Sequence, residues 1–290
     1  MDKVILNVDT GIDDAFAMIL LKRYGITPEF IVAASGNSTL ENTYRNTVGV
    51  AKLLEFDCPV YYGSFAPVLR PHLRDDFHGK NGIGCYKFKD VSIKNSENGI
   101  IKMEEALKKE RYTIICTSPM TSLAILLRLD ERIKKNINNI IIMGGAFGIT
   151  PYGKGNMGDA EFNVFYDPEA AKIVFESDIN ETIIPLDLTM NHELSISELP
   201  KSNKSDPLNE FIYKTTEFML KEHKSFEMHD PLAAFSFIEP EAYKYMHGEI
   251  EVYSSGVTVF KEDSNSRKKI ATGIDIEKYN KRLKEVIYFN

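Results

Sequence analysis

The order strand, acidic turn, helix at the start of the chain constrains its fold more than any other feature. Residues 4–8 form an apolar run of the length of a buried strand. The run ends in Asp9-Thr10-Gly11-Ile12-Asp13-Asp14, and a helix-like segment, Ala15 to Lys22, follows at once. Short apolar runs alternating with helical stretches continue down the chain, which favours a parallel sheet with crossover helices. Strands are expected at about 4–8, 30–35, 60–63, 112–117, 140–143 and 182–186. Helices are expected at about 13–24, 40–56, 100–109, 120–129, 168–177, 208–224 and 231–237. Residues 251–261 alternate like an exposed hairpin or edge strand; a strand at 270–274 and a helix at 277–286 complete the pattern. The fold class is therefore α/β, an open, mostly parallel, Rossmann-like sheet flanked by helices. With no linker rich in Pro, Gly or Ser, residues 1–290 read as a single domain.

Three aspartates stand within six residues of this first turn. One would serve as a helix cap, because Asp is favoured at a helix N-terminus. Three exceed that need. Like charges this close repel, and burying them uncompensated is costly. A hard divalent cation is the simplest remedy, since oxygen ligands are what such ions take. Other strand ends are polar too: Asn37 after the second, Thr117 closing the fourth, Gly144-Gly145 after the fifth and Asp187 after the sixth. Ligands of open α/β sheets bind in the crevice beyond the carboxyl ends of the strands. Distant segments thus deliver Asp, Asn, Thr and Gly to one edge.

Composition narrows the class of protein. The net charge is −7, with 42 acidic against 35 basic residues, which disfavours a protein built to bind nucleic acid. No apolar run approaches the ~18 residues of a membrane span, and the N-terminus lacks the pattern of a signal peptide. Cys58, Cys85 and Cys116 stand far apart and offer neither a zinc pair nor an even disulfide set. A soluble protein of a reducing compartment, the cytoplasm, is expected. There is no G-x-S-x-G elbow, no P-loop and no G-x-G-x-x-G after the first strand.

Three further constellations carry chemistry. In His229-Asp230-Pro231, Asp230 suits a helix cap and Pro231 the first helical position. The same Asp could reach the cation at the crevice, with His229 beside it as a proton donor near neutral pH. The glycine-rich stretch from Phe77-His78-Gly79 to Gly84 is either a plain connection or a flap that brings His78 over a ligand. Glu161 and Asn163 alternate with apolar neighbours as in a short strand with one polar face. That face is either solvated or binds sugar hydroxyls, for which a carboxylate and an amide are suited.

Taken together, these segments resemble the nucleoside hydrolases, the inosine-uridine-preferring N-ribohydrolase family, over nearly the whole chain. Residues 9–15 resemble its D-P-G-x-D-D-A signature, Gly36-Asn37 its G-N element, and 78–84 its H-G-x-x-G-x-G loop. Residues 117–122 are similar to T-G-P-L-T-N, and Met143-Gly144-Gly145, Glu161-Phe162-Asn163, residues 167–171 and His229-Asp230-Pro231 also follow the family in order.

The resemblance implies a bound Ca²⁺ held by the side chains of Asp9, Asp14 and Asp230 and the carbonyl of Thr117. It implies that Asp13, Asn37, Asn156, Glu161, Asn163 and Met143 bind substrate, and that Asp9, His229 and His78 act in catalysis. The implied reaction is hydrolysis of the N-glycosidic bond of purine or pyrimidine ribonucleosides, with Asp9 as general base and a histidine serving the leaving base. Homodimers or homotetramers are also implied. The chain departs from the family at Thr10 (for Pro), Asn7 (for Asp), and Ser118 and Ser122 (for Gly and Asn), and Asn156 lies one residue nearer to Glu161 than usual. None of these removes an implied ligand. Two other readings fit parts of the pattern: a Mg²⁺-dependent phosphohydrolase using the N-terminal aspartates, and a non-catalytic calcium-dependent binder of nucleosides or ribose.

Overall fold

The computed structural model describes residues 2–73, 76–88, 91, 97–223 and 225–287. Strands β1 (Val4–Val8), β2 (Phe30–Ala33), β3 (Val60–Tyr62), β4 (Tyr112–Cys116), β5 (Ile137–Met143), β6 (Glu181–Ile184), β7 (Tyr243–Val252), β8 (Thr258–Glu262) and β9 (Lys268–Ile274) form one sheet in the order β3-β2-β1-β4-β5-β6-β9-β7-β8. The pairings from β3 across to β9 are parallel; β7 runs antiparallel to both β9 and β8. Chain order reverses at β1, which has β2 on one side and β4 on the other. Such a switch point opens a crevice at the carboxyl ends of the two diverging strands.

Helices α1 (Ile12–Arg23), α2 (Leu40–Leu53), α3 (Gly99–Leu107), α4 (Thr121–Leu129), α5 (Phe162–Tyr166), α6 (Pro168–Phe175), α7 (Leu186–Thr189), α8 (Pro207–His223), α9 (His229–Ile238) and α10 (Ile276–Ile287) surround the sheet. Strand periodicity decides which face each residue serves. Val4, Leu6 and Val8 enter the apolar cluster containing α1 and α9, while Ile5 enters the cluster on the opposite face with α4 and α6. Every α1 residue from Ile12 to Leu21 is buried. That all-round burial fixes the entry of the helix rigidly against the end of β1.

The expected elements are present, with informative differences. Glu161 and Asn163 do not lie on a strand. Glu161 is the N-cap of α5, its carboxylate accepting from the N–H groups of Asn163 and Val164. A five-residue helix is too short to show a 3.6 period. Asp230 is not the cap of its helix either: α9 starts two residues earlier than expected, at His229, and Asp230 turns toward the other carboxylates instead. The hairpin starts earlier than expected, because β7 extends back to Tyr243 through alternating exposed and buried residues. A long loop near a site is also expected at 71–97; parts of it, and Lys224 at the end of the expected helix 208–224, lie outside the described residues.

Candidate active site

The turn after β1 carries the acidic residues into the crevice. Asp14 does the local work of a cap, its Oδ2 accepting from the Gly11 N–H at 2.8 Å. Its Oδ1 accepts from the Thr117 hydroxyl at 2.6 Å, which ties the start of α1 to the end of β4. Asp9, at the end of β1, accepts from the Asn37 N–H through Oδ2 at 2.6 Å. Its Oδ1 is buried and has no hydrogen-bond partner among the described residues. Gly36 makes this approach feasible: a Cβ there would lie 1.9 Å from Asp9 Oδ2.

Asp9, Asp13, Asp14 and Asp230 are all buried. Oxygens of Asp13, Asp14 and Asp230 lie within 4.8 Å of one another. Asp9 lies beside this trio, close enough for its carboxyl to feel the charges of Asp14 and Asp13. Burial drives all four carboxyls above the usual carboxylate range, Asp14 to about 6, and for Asp9 and Asp230 the neighbouring aspartates push further in the same direction. Groups so arranged gain from a cation that lets them stay charged. Carboxylates are an all-oxygen donor set suited to Ca²⁺ or Mg²⁺ rather than zinc, and the unpartnered Oδ1 of Asp9 beside them is a further free acceptor. The side chains present therefore fit a hard divalent ion.

Above the carboxylates opens a cleft of about 170 Å³, lined by Asp13, Asn37, His78, Thr117, Met143 and Asn156 among others. Glu161, Asn163, His229 and Asp230 also face it. Of the residues expected at the site, only Asp9 and Asp14 are absent from this lining, being fully buried beneath it. Phe77, Met157 and Phe162 line the cleft as well. They are apolar neighbours of the polar residues singled out in the sequence, and adjacency to those residues is the signal that could have found them.

The polar wall is already partly engaged. Asn163 Nδ2 donates to the carbonyls of Thr117 and Met143, at 2.9 and 3.1 Å. Only its Oδ1 is left for a ligand. Glu161 accepts from the N–H groups of Asn163, Gly145 and Val164, yet burial outweighs these bonds and raises its carboxyl to about 6. Three of roughly four lone-pair sites are thus used, leaving one for a hydroxyl. Asn37 is shared: besides its backbone bond to Asp9, its Nδ2 donates to Asp14 Oδ2 at 3.2 Å.

The two histidines are held differently. The Ile12 N–H donates to His78 Nδ1 at 3.3 Å, so the ring proton of the neutral form sits on Nε2, 3.6 Å from Asp13 Oδ1. His229 instead has Nδ1 2.8 Å from the Thr189 hydroxyl. Burial lowers its pKa, while the nearby Asp13 and Glu227 act in the opposite sense.

Residues 4–281 match the inosine-uridine preferring nucleoside hydrolase family. The chain belongs to that family. It is 30% identical over 275 residues to the pyrimidine-specific ribonucleoside hydrolase RihA of Salmonella agona, covering 88% of this chain and 87% of that protein. It is 29% identical over 277 residues to uridine nucleosidase 1 of Arabidopsis thaliana, covering 89% and 80% respectively. A solved structure of a purine-preferring ribonucleoside hydrolase from Gardnerella vaginalis superposes with a TM-score of 0.85 at 25% identity, covering 98% of both chains. The protein is thus a nucleoside hydrolase acting on ribonucleosides, and the cleft over the aspartates is its candidate active site. Among the described residues, no helix of this hydrolase is long and apolar enough to cross a membrane.

Proposed function

We propose that this hydrolase is Ca²⁺-dependent and cleaves the N-glycosidic bond of pyrimidine and purine ribonucleosides, releasing ribose and the free base. The observation that carries this reading is the convergence of four buried carboxyls, one with an unpartnered oxygen, beneath a cleft walled by Glu161, Asn163 and two histidines. The side chains of Asp9, Asp14 and Asp230 and the Thr117 carbonyl would hold the ion. Ca²⁺, when bound, acidifies a water molecule and grips sugar oxygens as a Lewis acid.

The chain's own groups do the rest. Asp13, Asn37, Asn156 and the free acceptors of Glu161 and Asn163 bind the ribose hydroxyls, and Met143 packs beside them. Asp9 takes a proton from the attacking water as general base while the water oxygen bonds to C1′. The C1′–N electron pair leaves with the base, and the surrounding carboxylates stabilise the positive charge that develops on the sugar. His229 gives the departing base its proton. His78 is less suited to that transfer because Ile12 and Asp13 already engage its ring. The net reaction is nucleoside plus water to ribose plus base.

One continuous sheet supports reading 1–290 as a single domain. The free state of Cys58, Cys85 and Cys116 supports a cytoplasmic setting. Assembly into homodimers or homotetramers belongs to the same reading and is tested by light scattering. The function is tested by incubating EDTA-treated protein with uridine, cytidine, inosine and adenosine, and separately with their 5′-monophosphates, with and without added Ca²⁺, and measuring base, ribose and phosphate. Base and ribose released only when Ca²⁺ is present support the proposal. Turnover in EDTA, or phosphate release from nucleotides, rejects it. The panel also ranks the bases, since the relatives' names divide between pyrimidine and purine.

A further inference from the structure

Helix α7 is one turn long and follows β6 directly, at the same carboxyl edge as the acidic turn. It is held from outside. Asp187 accepts from the N–H groups of Phe147 and Ile149 at 2.8 and 2.6 Å, and from that of Thr150. Thr189, its last residue, is buried, and its hydroxyl lies 2.8 Å from Nδ1 of His229, 40 residues further on. Among the described residues this hydroxyl has no other hydrogen-bond partner.

We propose that Thr189 is a positioning residue for His229, fixing the ring so that Nε2 faces the leaving base; the assignment rests on the reading of His229 as the proton donor. The chemistry needs a partner of this kind. A ring that donates from Nε2 must be held at Nδ1, and the identity of that partner sets ring orientation and tautomer. When the Nε2 proton moves to the base nitrogen, an imidazolium becomes the neutral ring that keeps its proton on Nδ1. Nδ1–H then requires an acceptor. A hydroxyl can accept that bond, and it can turn and donate to the ring when Nδ1 is bare. A carboxylate could only accept, and a valine could do neither.

The test compares two leaving groups in Thr189→Val. Uridine and inosine lose a base that needs a proton. p-Nitrophenyl β-D-ribofuranoside loses a stable anion that needs none. The kcat for the nucleosides should fall about tenfold or more, with the nitrophenyl riboside changed by less than about twofold, since only the proton-assisted step is affected. Thr189→Ser, which keeps the hydroxyl, should restore most of the loss. If valine prevents folding, Thr189→Ala read against Thr189→Ser gives the same ratio. Equal falls on both substrates would show a merely structural role and overturn the assignment, as would no fall on either. Wild-type protein that cleaves the nitrophenyl riboside but neither nucleoside overturns the reading of His229 as donor, and this inference with it.

Discussion

The Asn37 backbone N–H reaches Oδ2 of Asp9 at 2.6 Å and leaves the other oxygen of that carboxyl buried without a partner. One oxygen fixes the side chain and the other is available for chemistry. Asp9→Asn keeps the shape and removes the charge and the base. Turnover should fall by about 10³-fold or more if the residue is the general base. In EDTA the variant should melt higher than wild type, because one of four crowded carboxyls is gone. Steady-state assays check the first statement and scanning calorimetry in EDTA the second; near-normal kcat would refute the role.

Calcium should stabilise the wild-type protein through the same groups. At a concentration of 100 times Kd the gain is about 2.7 kcal/mol. Affinity should drop as pH falls through about 6, where Asp14 takes up a proton in the metal-free protein. Thermal-shift titrations at pH 7.5 and pH 5 measure this. An equal response to Mg²⁺ would argue against Ca²⁺ as the resident ion, since Mg²⁺ demands a tighter octahedral shell.

Gly36→Ala tests the cradle around Asp9. The added methyl would lie 1.9 Å from the carboxylate, so Asp9 or the 36–37 turn must move. A misplacement of about 1 Å can cost roughly 10²-fold in rate. The expected result is a loss of that order in kcat, with the melting temperature lowered far less than the activity.

Asp187→Ala should raise KM by about tenfold, near 1.4 kcal/mol, and lower kcat for the nucleosides as well, because Asp187 also anchors α7 and with it Thr189. Asp187 fastens residues 147–150, which lead into the cleft-lining Asn156 and Met157. Hydrogen exchange over 147–157 should accelerate in the variant. A lowered kcat with unchanged KM would place the role of Asp187 elsewhere.

Glu181 makes a separate prediction far from the chemistry. It is buried at the start of β6, bonded to Ser177 through Oε1, with Oε2 unpartnered, and burial pushes its carboxyl up to about 8. Its ordinary value is 4.5. The folded protein therefore holds a proton that the unfolded chain releases between these values. The stability this contributes is complete below pH 4.5 and is lost as pH rises through about 8, at a slope of at most about 1.4 kcal/mol per pH unit. Glu181→Gln should flatten that slope in urea titrations between pH 5 and 9. An unchanged slope would exclude Glu181 as its source.

Much of the site was legible because strand-end residues in an α/β sheet have few places to go. Asp9, Asn37 and Thr117 could be placed from alternation alone, and the sheet order brings them together around β1 and β4. What failed was short-range geometry. Glu161 occupies an alternating sequence yet caps a helix of only five residues, where neither period can establish itself. Asp230 carries the local mark of a cap, but the tertiary cluster holds its side chain instead. Thr189 gave no sign at all: a threonine at the end of a four-residue helix is ordinary until the fold sets a histidine beside it.

The acidic cluster draws on both extremes of the chain, Asp9, Asp13 and Asp14 near the beginning and Asp230 on α9 near the end. During vectorial synthesis Asp230 leaves the ribosome 216 residues after Asp14, so the carboxylates proposed to hold the ion form an incomplete set until α9 follows.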